Sequence, residues 1–212
     1  MDNGQLILYN NEQMKKKLLL INCYREMAAD KIEWYHEWLN AGLAAAGLEF
    51  DVLIGMDTET IPEKLECSAV LVSGSQKMVA ANEVEAGLLG FLKSNRRPLL
   101  GICYGHQALA AAFGCLVKKD AKKHLGEEDI FLKKTHQIFS GFSNVFKMRE
   151  SHEEIVIMDE ALAANFHVLA RNSAGRVEAI VHKEHPLFGV QFHPEKSGEL
   201  GIKLLVNFLK MI

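Results

Sequence analysis

The sequence predicts an α/β fold: an open, mostly parallel sheet flanked by helices, with an added region of antiparallel or mixed strands. Two observations predict it. Short apolar runs alternate with helical segments over the first half of the chain, and strand-like segments follow one another closely after Gly114. Alternating strands and helices produce a parallel sheet covered on both faces. With 212 residues, 49% of them hydrophobic, we expect a single domain over residues 1–212.

The first half of the chain carries the strand and helix alternation. We expect residues 1–16 to form an N-terminal arm or an extra edge strand. Apolar runs and helical stripes then predict strands at Leu18–Asn22, Phe50–Ile54, Ala69–Ser73 and Pro98–Ile102, and helices at Ala28–Ala46, Glu83–Lys93 and Ala108–Phe113. The last of these helices is closed by Gly114.

The second half of the chain leaves little room for helices until its end. Short segments there predict antiparallel or mixed strands at Glu128–Lys133, Val145–Met148, Ile155–Met158, His167–Ala170 and Val177–His182. A buried strand follows at Leu187–Phe192 and runs directly into His193. From about Gly198 to Met211, apolar residues at helical spacing predict a helix that faces the core.

Composition excludes several classes of function. The net charge is −3 and the basic clusters are short lysine groups, so we expect no nucleic-acid partner. No apolar run approaches the roughly 18 residues of a membrane span, and no signal pattern begins the chain, so we expect a cytoplasmic protein without membrane association. Four cysteines without Cys-x-x-Cys spacing argue against a zinc site or a disulfide framework.

A second possible metal pattern is His182, Glu184 and His185. No third ligand has suitable spacing, so we interpret the two histidines as solvent-exposed and predict no metal site.

The segment around Cys103 predicts a reactive cysteine on a sharp bend between a buried strand and a helix. Gly101 and Gly105 bracket the cysteine at two-residue spacing, where only glycine avoids a Cβ clash as the backbone folds back on itself. The bend places the sulfur at a helix N-terminus. The N–H groups and the dipole there favour a thiolate and stabilise a developing oxyanion. Cys103 is therefore the candidate nucleophile.

A cysteine nucleophile needs a base and a group that orients that base. His193 lies just past a buried strand, where open α/β sheets place their reactive groups. In extended structure residues i and i+2 point to the same side, so Glu195 is expected to hold the ring of His193 while the other ring nitrogen faces Cys103. The sequence therefore predicts a Cys-His-Glu triad.

Two long motifs carry a resemblance to a known family, Gly101-Ile102-Cys103-Tyr104-Gly105-His106-Gln107 and Gly189-Val190-Gln191-Phe192-His193-Pro194-Glu195. Together they resemble the signature motifs of the class I, or triad, glutamine amidotransferases. The resemblance covers roughly residues 17 to 212, and within the family it is closest to the glutaminase subunit or domain of GMP synthase. It implies a flavodoxin-like sheet with an added antiparallel or mixed region.

The resemblance also implies roles for single residues. Cys103 would attack the side-chain amide of L-glutamine, His193 would serve as base and acid, and Glu195 would orient it. The backbone N–H groups of Gly74 and Tyr104 would hold the oxyanion. The substrate's amino-acid end would be held by Gln107, Ser151 and His152. The loop that contains Gly74 departs from the family, since it reads Ser73-Gly74-Ser75-Gln76 where Gly-Gly-Pro is usual.

The leading hypothesis for function is a glutaminase that releases ammonia through a cysteine thioester and supplies it to an ATP-using partner synthetase, on a pathway similar to that of GMP synthase. The chain has no Gly-x-x-x-x-Gly-Lys-Ser/Thr loop of its own, and we expect no cofactor. One alternative is a stand-alone γ-glutamyl hydrolase or peptidase that uses the same triad. Another is a non-catalytic subunit that retains the fold.

Overall fold

The computed structural model describes residues 16–24, 29–56 and 66–212, which form a nine-stranded sheet and five α-helices. The strands are β1 (Lys16–Asn22), β2 (Phe50–Met56), β3 (Ala69–Val72), β4 (Leu99–Ile102), β5 (Val117–Leu132), β6 (Val145–Val156), β7 (Phe166–Asn172), β8 (Val177–His182) and β9 (Leu187–Val190). The helices are α1 (Ala29–Ala46), α2 (Ala86–Ser94), α3 (Tyr104–Ala112), α4 (Glu160–Asn165) and α5 (Gly198–Leu209). None of these helices is both long and apolar enough to cross a membrane.

The sheet has a parallel half and an antiparallel half. Its strand order is β2-β1-β3-β4-β9-β8-β7-β5-β6. The first five strands in this order run parallel, and each later neighbour pairs antiparallel. The predicted α/β architecture, with its added antiparallel region, is confirmed. The two halves meet at β9, so the strand that precedes His193 lies at the junction.

The core has one layer on each face of the parallel strands. Strand β1 shows why, because Leu18 and Leu20 pack into one layer while Leu19 and Ile21 pack into the other. The first layer is covered by α1 and α5, and the second by α2 and α3. Side chains alternate across a strand, so a strand buried on both faces must be apolar throughout. This is why β1, β3, β4 and β9 were visible in the sequence as apolar runs.

Several predicted boundaries differ from the structure in the first half of the chain. Residues 1–15 and Ala28 lie outside the described residues, while Lys16 already belongs to β1. Helix α2 begins at Ala86, three residues later than predicted. The carboxylate of Glu83 accepts the backbone N–H of Met78 and so closes a loop at the site of the predicted first turn.

In the second half, three predicted strands are parts of two longer ones, and Val145–Met148 is the start of β6. Glu128–Lys133 covers the end of β5, which begins eleven residues earlier than predicted, at Val117, and Ile155–Met158 overlaps the end of β6. The expectation of little room for helices was wrong at α4. Asp159 starts this short helix, because its carboxylate accepts the backbone N–H of Leu162.

Candidate active site

Cys103 occupies a strained bend between β4 and α3. Its backbone has φ 52° and ψ −102°, and Asn82 is the only other non-glycine residue with positive φ among those the structure describes. Side chains with a Cβ rarely adopt this conformation, so the surrounding structure must impose it. The backbone N–H of Cys103 donates to Val190 and its carbonyl accepts from Gln107, which ties the bend to β9 and to the helix.

The two glycines beside the nucleophile are required by close backbone contacts. A Cβ on Gly101 would lie 2.5 Å from the carbonyl oxygen of Gly105, and a Cβ on Gly105 would lie 2.5 Å from that of Val72. Neither distance is tolerated between these atoms. The reason given by the sequence for these glycines therefore agrees with the geometry.

His193 and Glu195 form a buried pair. The ring Nδ1 lies 2.6 Å from Oε1 of Glu195, and both side chains are almost wholly inaccessible. Burial lowers the pKa of His193, but the negative charges of Glu195 and Cys103 outweigh it and raise the pKa to about 10. The ring therefore carries a proton at neutral pH, and it is close enough to Cys103 for the two side chains to interact electrostatically.

The predicted reason for this pairing was wrong. Pro194–Lys196 forms a turn of 3₁₀ helix and not an extended segment. The turn brings the Glu195 carboxylate back towards the ring of His193. The backbone N–H of His193 donates to Arg149 and its carbonyl accepts from the Ser197 hydroxyl, so the turn is anchored at two points.

A pocket of about 350 Å³ opens onto the nucleophile. The site residues predicted from the sequence that line it are Cys103, Tyr104, Gln107, Ser151, His152 and His193. The Cys103 thiol approaches the carbonyl oxygen of Ser151 at 3.9 Å. Glu195 lies behind His193 and completes the group. The structure thus brings together seven of the eight predicted site residues around one pocket.

Gly74, the eighth, has its N–H group engaged elsewhere. That N–H donates to the hydroxyl of Tyr35 at 2.9 Å. The hydroxyl of Tyr24 is packed against the same glycine, since a Cβ added there would lie 2.8 Å from it. In this conformation the Gly74 N–H points to a tyrosine and not to a substrate oxygen.

Three residues around the pocket were missed by the sequence analysis. Gln191 donates to the Cys103 sulfur at 3.7 Å and accepts from the Gln107 amide at 3.1 Å. Glu154 binds the backbone N–H groups of residues 79 and 80 and accepts from Gln107 through its carbonyl. Tyr35 is the partner of Gly74. Of the three, only Gln191 could have been noticed in the sequence, because it is a polar residue within an otherwise apolar strand segment.

The interpretation of His182 as solvent-exposed was wrong. Its side chain packs against Phe113 and Phe166, and its ring stacks on His185 at 4.8 Å. The ring Nδ1 accepts the backbone N–H groups of Glu184 and His185, which gives it a structural role at the end of β8.

Comparison with known proteins identifies the family. A model of the family described as Glutamine amidotransferase class-I matches residues 28–212. The chain is a class I glutamine amidotransferase. Among its relatives, a glutamine-hydrolysing GMP synthase subunit of Methanococcus aeolicus is 34% identical over 152 residues, which are 71% of this chain and 77% of that protein. The protein of the same name from Saccharolobus solfataricus is 32% identical over 188 residues, 81% of this chain and 97% of its own.

Solved structures of other proteins share this fold. A protein from Thermoplasma acidophilum, described as a GMP synthase subunit, has a TM-score of 0.73 at 22% identity, covering 93% of this chain and 94% of its own. The glutaminase domain of Trypanosoma brucei CTPS has a TM-score of 0.74 at 18% identity, covering 92% of each chain. The recognition of this amidotransferase from its two motifs is confirmed, as is the predicted fold.

Proposed function

We propose that this amidotransferase hydrolyses the side-chain amide of L-glutamine at Cys103 and supplies the ammonia to an ATP-using partner synthetase of the GMP synthase type. One observation carries the proposal. Cys103 sits on a strained bend in the lining of a pocket, beside a buried His193–Glu195 pair. A nucleophile, a base and an orienting carboxylate in this arrangement perform acyl transfer.

The first half of the reaction forms a thioester. The Cys103 sulfur attacks the amide carbon, a C–S bond forms and the carbonyl oxygen becomes an oxyanion. As the oxyanion collapses, the C–N bond breaks, and the imidazolium of His193 gives its proton to the departing nitrogen, which leaves as ammonia. The raised pKa of His193 supports this step, because the proton is already on the ring when the substrate arrives.

The second half regenerates the enzyme. His193, now neutral, takes a proton from a water molecule that adds to the thioester carbon. The C–S bond then breaks, glutamate leaves and the thiolate is restored. Glu195 orients the ring through both steps by its contact with Nδ1, which leaves Nε2 as the nitrogen that exchanges protons.

The oxyanion is assigned to the backbone N–H groups of Tyr104 and Gly74. Tyr104 is the first residue of α3, and the N–H groups of a first helical turn point outwards along the axis. The Gly74 N–H reaches the oxyanion only after it leaves the Tyr35 hydroxyl. Gln107, Ser151 and His152 are assigned to the substrate's amino-acid end, since all three line the pocket.

The partner is inferred from the relatives. They are named as one subunit of a glutamine-hydrolysing GMP synthase, which supports a separate synthetase chain as the acceptor of ammonia. Their names favour glutamine as the substrate over the γ-glutamyl peptides of a stand-alone hydrolase. The complete triad opposes a non-catalytic role.

The test is a glutaminase assay with and without the candidate synthetase. We expect weak glutamate release by the chain alone, a rise when the synthetase is added, and complete loss in Cys103→Ala with the fold intact. Cys115→Ala is the matched control, because Cys115 is a buried thiol of the same 5% exposure outside the pocket. Retained activity in Cys103→Ala, or failure of a glutamine-like electrophile to label Cys103, would refute the mechanism.

A further inference from the structure

A buried polar cluster, separate from the triad, lies between strands β6 and β8, next to the pocket. It consists of Glu150 and His152 on β6 and Glu178 on β8, and one ligand atom from each lies within 4.8 Å of the others. Both glutamates are fully inaccessible to solvent. Strands β7 and β5 separate β8 from β6 in the sheet, so the sheet curls far enough to bring these side chains together.

The ligand atoms of this cluster lack ordinary partners. None of the four carboxylate oxygens of Glu150 and Glu178 has a hydrogen-bond donor among the described residues. Nε2 of His152 likewise makes no hydrogen bond to any of them. Buried polar atoms are normally satisfied, and buried carboxylates need a compensating charge. Two fully buried carboxyls within 4.8 Å of a histidine ring nitrogen therefore indicate a missing positive group.

The hydrogen bonds of His152 identify which nitrogen faces the cluster. Nδ1 lies 2.8 Å from the carbonyl oxygen of Glu154, so it carries a proton and donates. Nε2 then faces Oε2 of Glu150 at 3.1 Å, a contact that is repulsive unless a cation or a proton lies between the two atoms. A histidine that donates its other N–H to a carbonyl is the usual arrangement of a metal ligand.

Neighbouring cations are committed to other carboxylates. Arg176 donates to Asp120 at 2.8 Å. The ring of His124, which stacks on that of His152, contacts Asp120 and Glu128 through its two nitrogens at 2.8 Å each. Glu150 and Glu178 receive no Lys or Arg donor in the part of the chain that the structure describes. No Lys or Arg among the described residues therefore balances the charge of these two carboxyls when they ionise, and a divalent cation would do so.

We propose that Glu150, His152 and Glu178 bind a divalent transition-metal ion of the Zn²⁺ or Mn²⁺ type. The ligand set of one imidazole and two carboxylates suits such ions better than Mg²⁺ or Ca²⁺, which prefer oxygen alone. Two atoms that are each about 2.1 Å from one ion lie roughly 3.0–3.4 Å apart in octahedral or tetrahedral geometry. The separation of 3.1 Å between Glu150 and His152 fits this range.

The ion has a structural role in this proposal. Residues 151–154 of β6 line the substrate pocket, and the side chains of Glu150 and His152 anchor that stretch, so contact between His152 and the substrate is left to its backbone. Binding by Glu178 on β8 would connect this wall of the pocket to the strand that pairs with β9. The ion would hold the pocket wall in register with the nucleophile without itself touching substrate.

The experiment uses the full chain with Cys103→Ala, so that the nucleophilic thiol supplies no ligand. The protein is stripped with a chelator, incubated with Zn²⁺, Mn²⁺ or Co²⁺, freed of excess metal and measured for bound metal by mass spectrometry, with affinity from calorimetry. We expect one ion per chain, and for Co²⁺ the visible absorption bands of a nitrogen and oxygen site. We expect Glu178→Gln to weaken binding by about 100-fold or more, since even indirect ligand contacts are worth 10–100-fold.

Glu153→Gln is the matched control. Glu153 neighbours the cluster in sequence, but its carboxylate pairs with Lys119 and Lys123 on the outside, so this variant should bind the ion as the parent does. If Glu178→Gln does not fold, Glu150→Gln replaces it in the same assay. Absence of a bound ion at millimolar metal, or equal affinity in parent and Glu178→Gln, would overturn the proposal. Protonation of Glu178 would then reduce the charge of the cluster, since burial and the neighbouring Glu150 raise its pKa.

Discussion

Backbone strain at the nucleophile is open to direct measurement. Cys103→Ala keeps a Cβ at φ 52°, whereas Cys103→Gly removes it. A non-glycine residue in a sparsely populated region costs about 1–3 kcal/mol, and glycine costs about 0.5–1 kcal/mol through the entropy of the unfolded chain. We therefore expect the glycine variant to be more stable than the alanine variant by about 0.5–2 kcal/mol, although both lose glutaminase activity.

The assay is urea unfolding of both variants, followed by circular dichroism, with thermal unfolding as a second readout. For a chain of this size 1 kcal/mol corresponds to about 2–4 °C in melting temperature. The control pair is Cys115→Ala and Cys115→Gly, at a site with equal burial and negative φ, where glycine should be less stable than alanine by about 0.5–1 kcal/mol. The same order of stability at both positions would refute the claim that the bend at Cys103 is strained.

Two further predictions concern the surroundings of the nucleophile, and a third concerns Asp120. Glu195→Gln should lower kcat by about 10²–10⁴-fold. It should also lower the pKa of His193. In the parent, the charged ring stabilises the fold fully below pH 6.5, and this stability is lost as the pH rises through about 10, so the variant should lose it at a lower pH. The measurement is the free energy of unfolding against pH, and an unchanged profile would contradict the prediction. Tyr35→Phe should free the Gly74 N–H and raise basal glutamate release, and an unchanged or lower rate would remove Gly74 from the oxyanion site. Arginine contact holds the pKa of Asp120 well below its usual range, so this carboxylate stabilises the fold above about pH 4 and loses that effect on acidification. Asp120→Asn should flatten the acid limb of the unfolding profile, and an equally steep limb would show that other groups cause it.

Most of the parallel half of the fold was predictable because strands β1, β3, β4 and β9 are buried on both faces, whereas the edge strand β2 is partly exposed. Such strands are nearly continuous apolar runs, which can be recognised in the sequence without knowledge of the rest of the fold. Strand β5 was missed in its first eleven residues for the opposite reason. Its lysines face solvent, and a break in register between Lys119 and His124 interrupts the alternation of buried and exposed residues on which strand prediction depends.

The triad was predictable because its members follow local features of the chain: two glycines around a cysteine, and a histidine at the end of an apolar strand. The contacts of Gly74 and Glu178 were not, because they depend on residues distant in sequence. Tyr35 is 39 residues from the glycine whose N–H it binds, and Glu150 reaches Glu178 only through the curl of the sheet. No local sequence pattern predicts contacts between residues that are this far apart in the chain.

The distance between nucleophile and base is set by strand register. Strands β4 and β9 are parallel neighbours, with Ile102 opposite Val190. Cys103 comes one residue after Ile102, and His193 comes three residues after Val190. Neighbouring strands are about 4.8 Å apart, so side chains that leave them at the same edge meet within reach of a proton transfer. Residues 90 positions apart in the chain are thereby held together by four backbone pairs. The two extra residues on the β9 side are Gln191 and Phe192, and the 3₁₀ turn at Pro194–Lys196 begins only after His193 is in place.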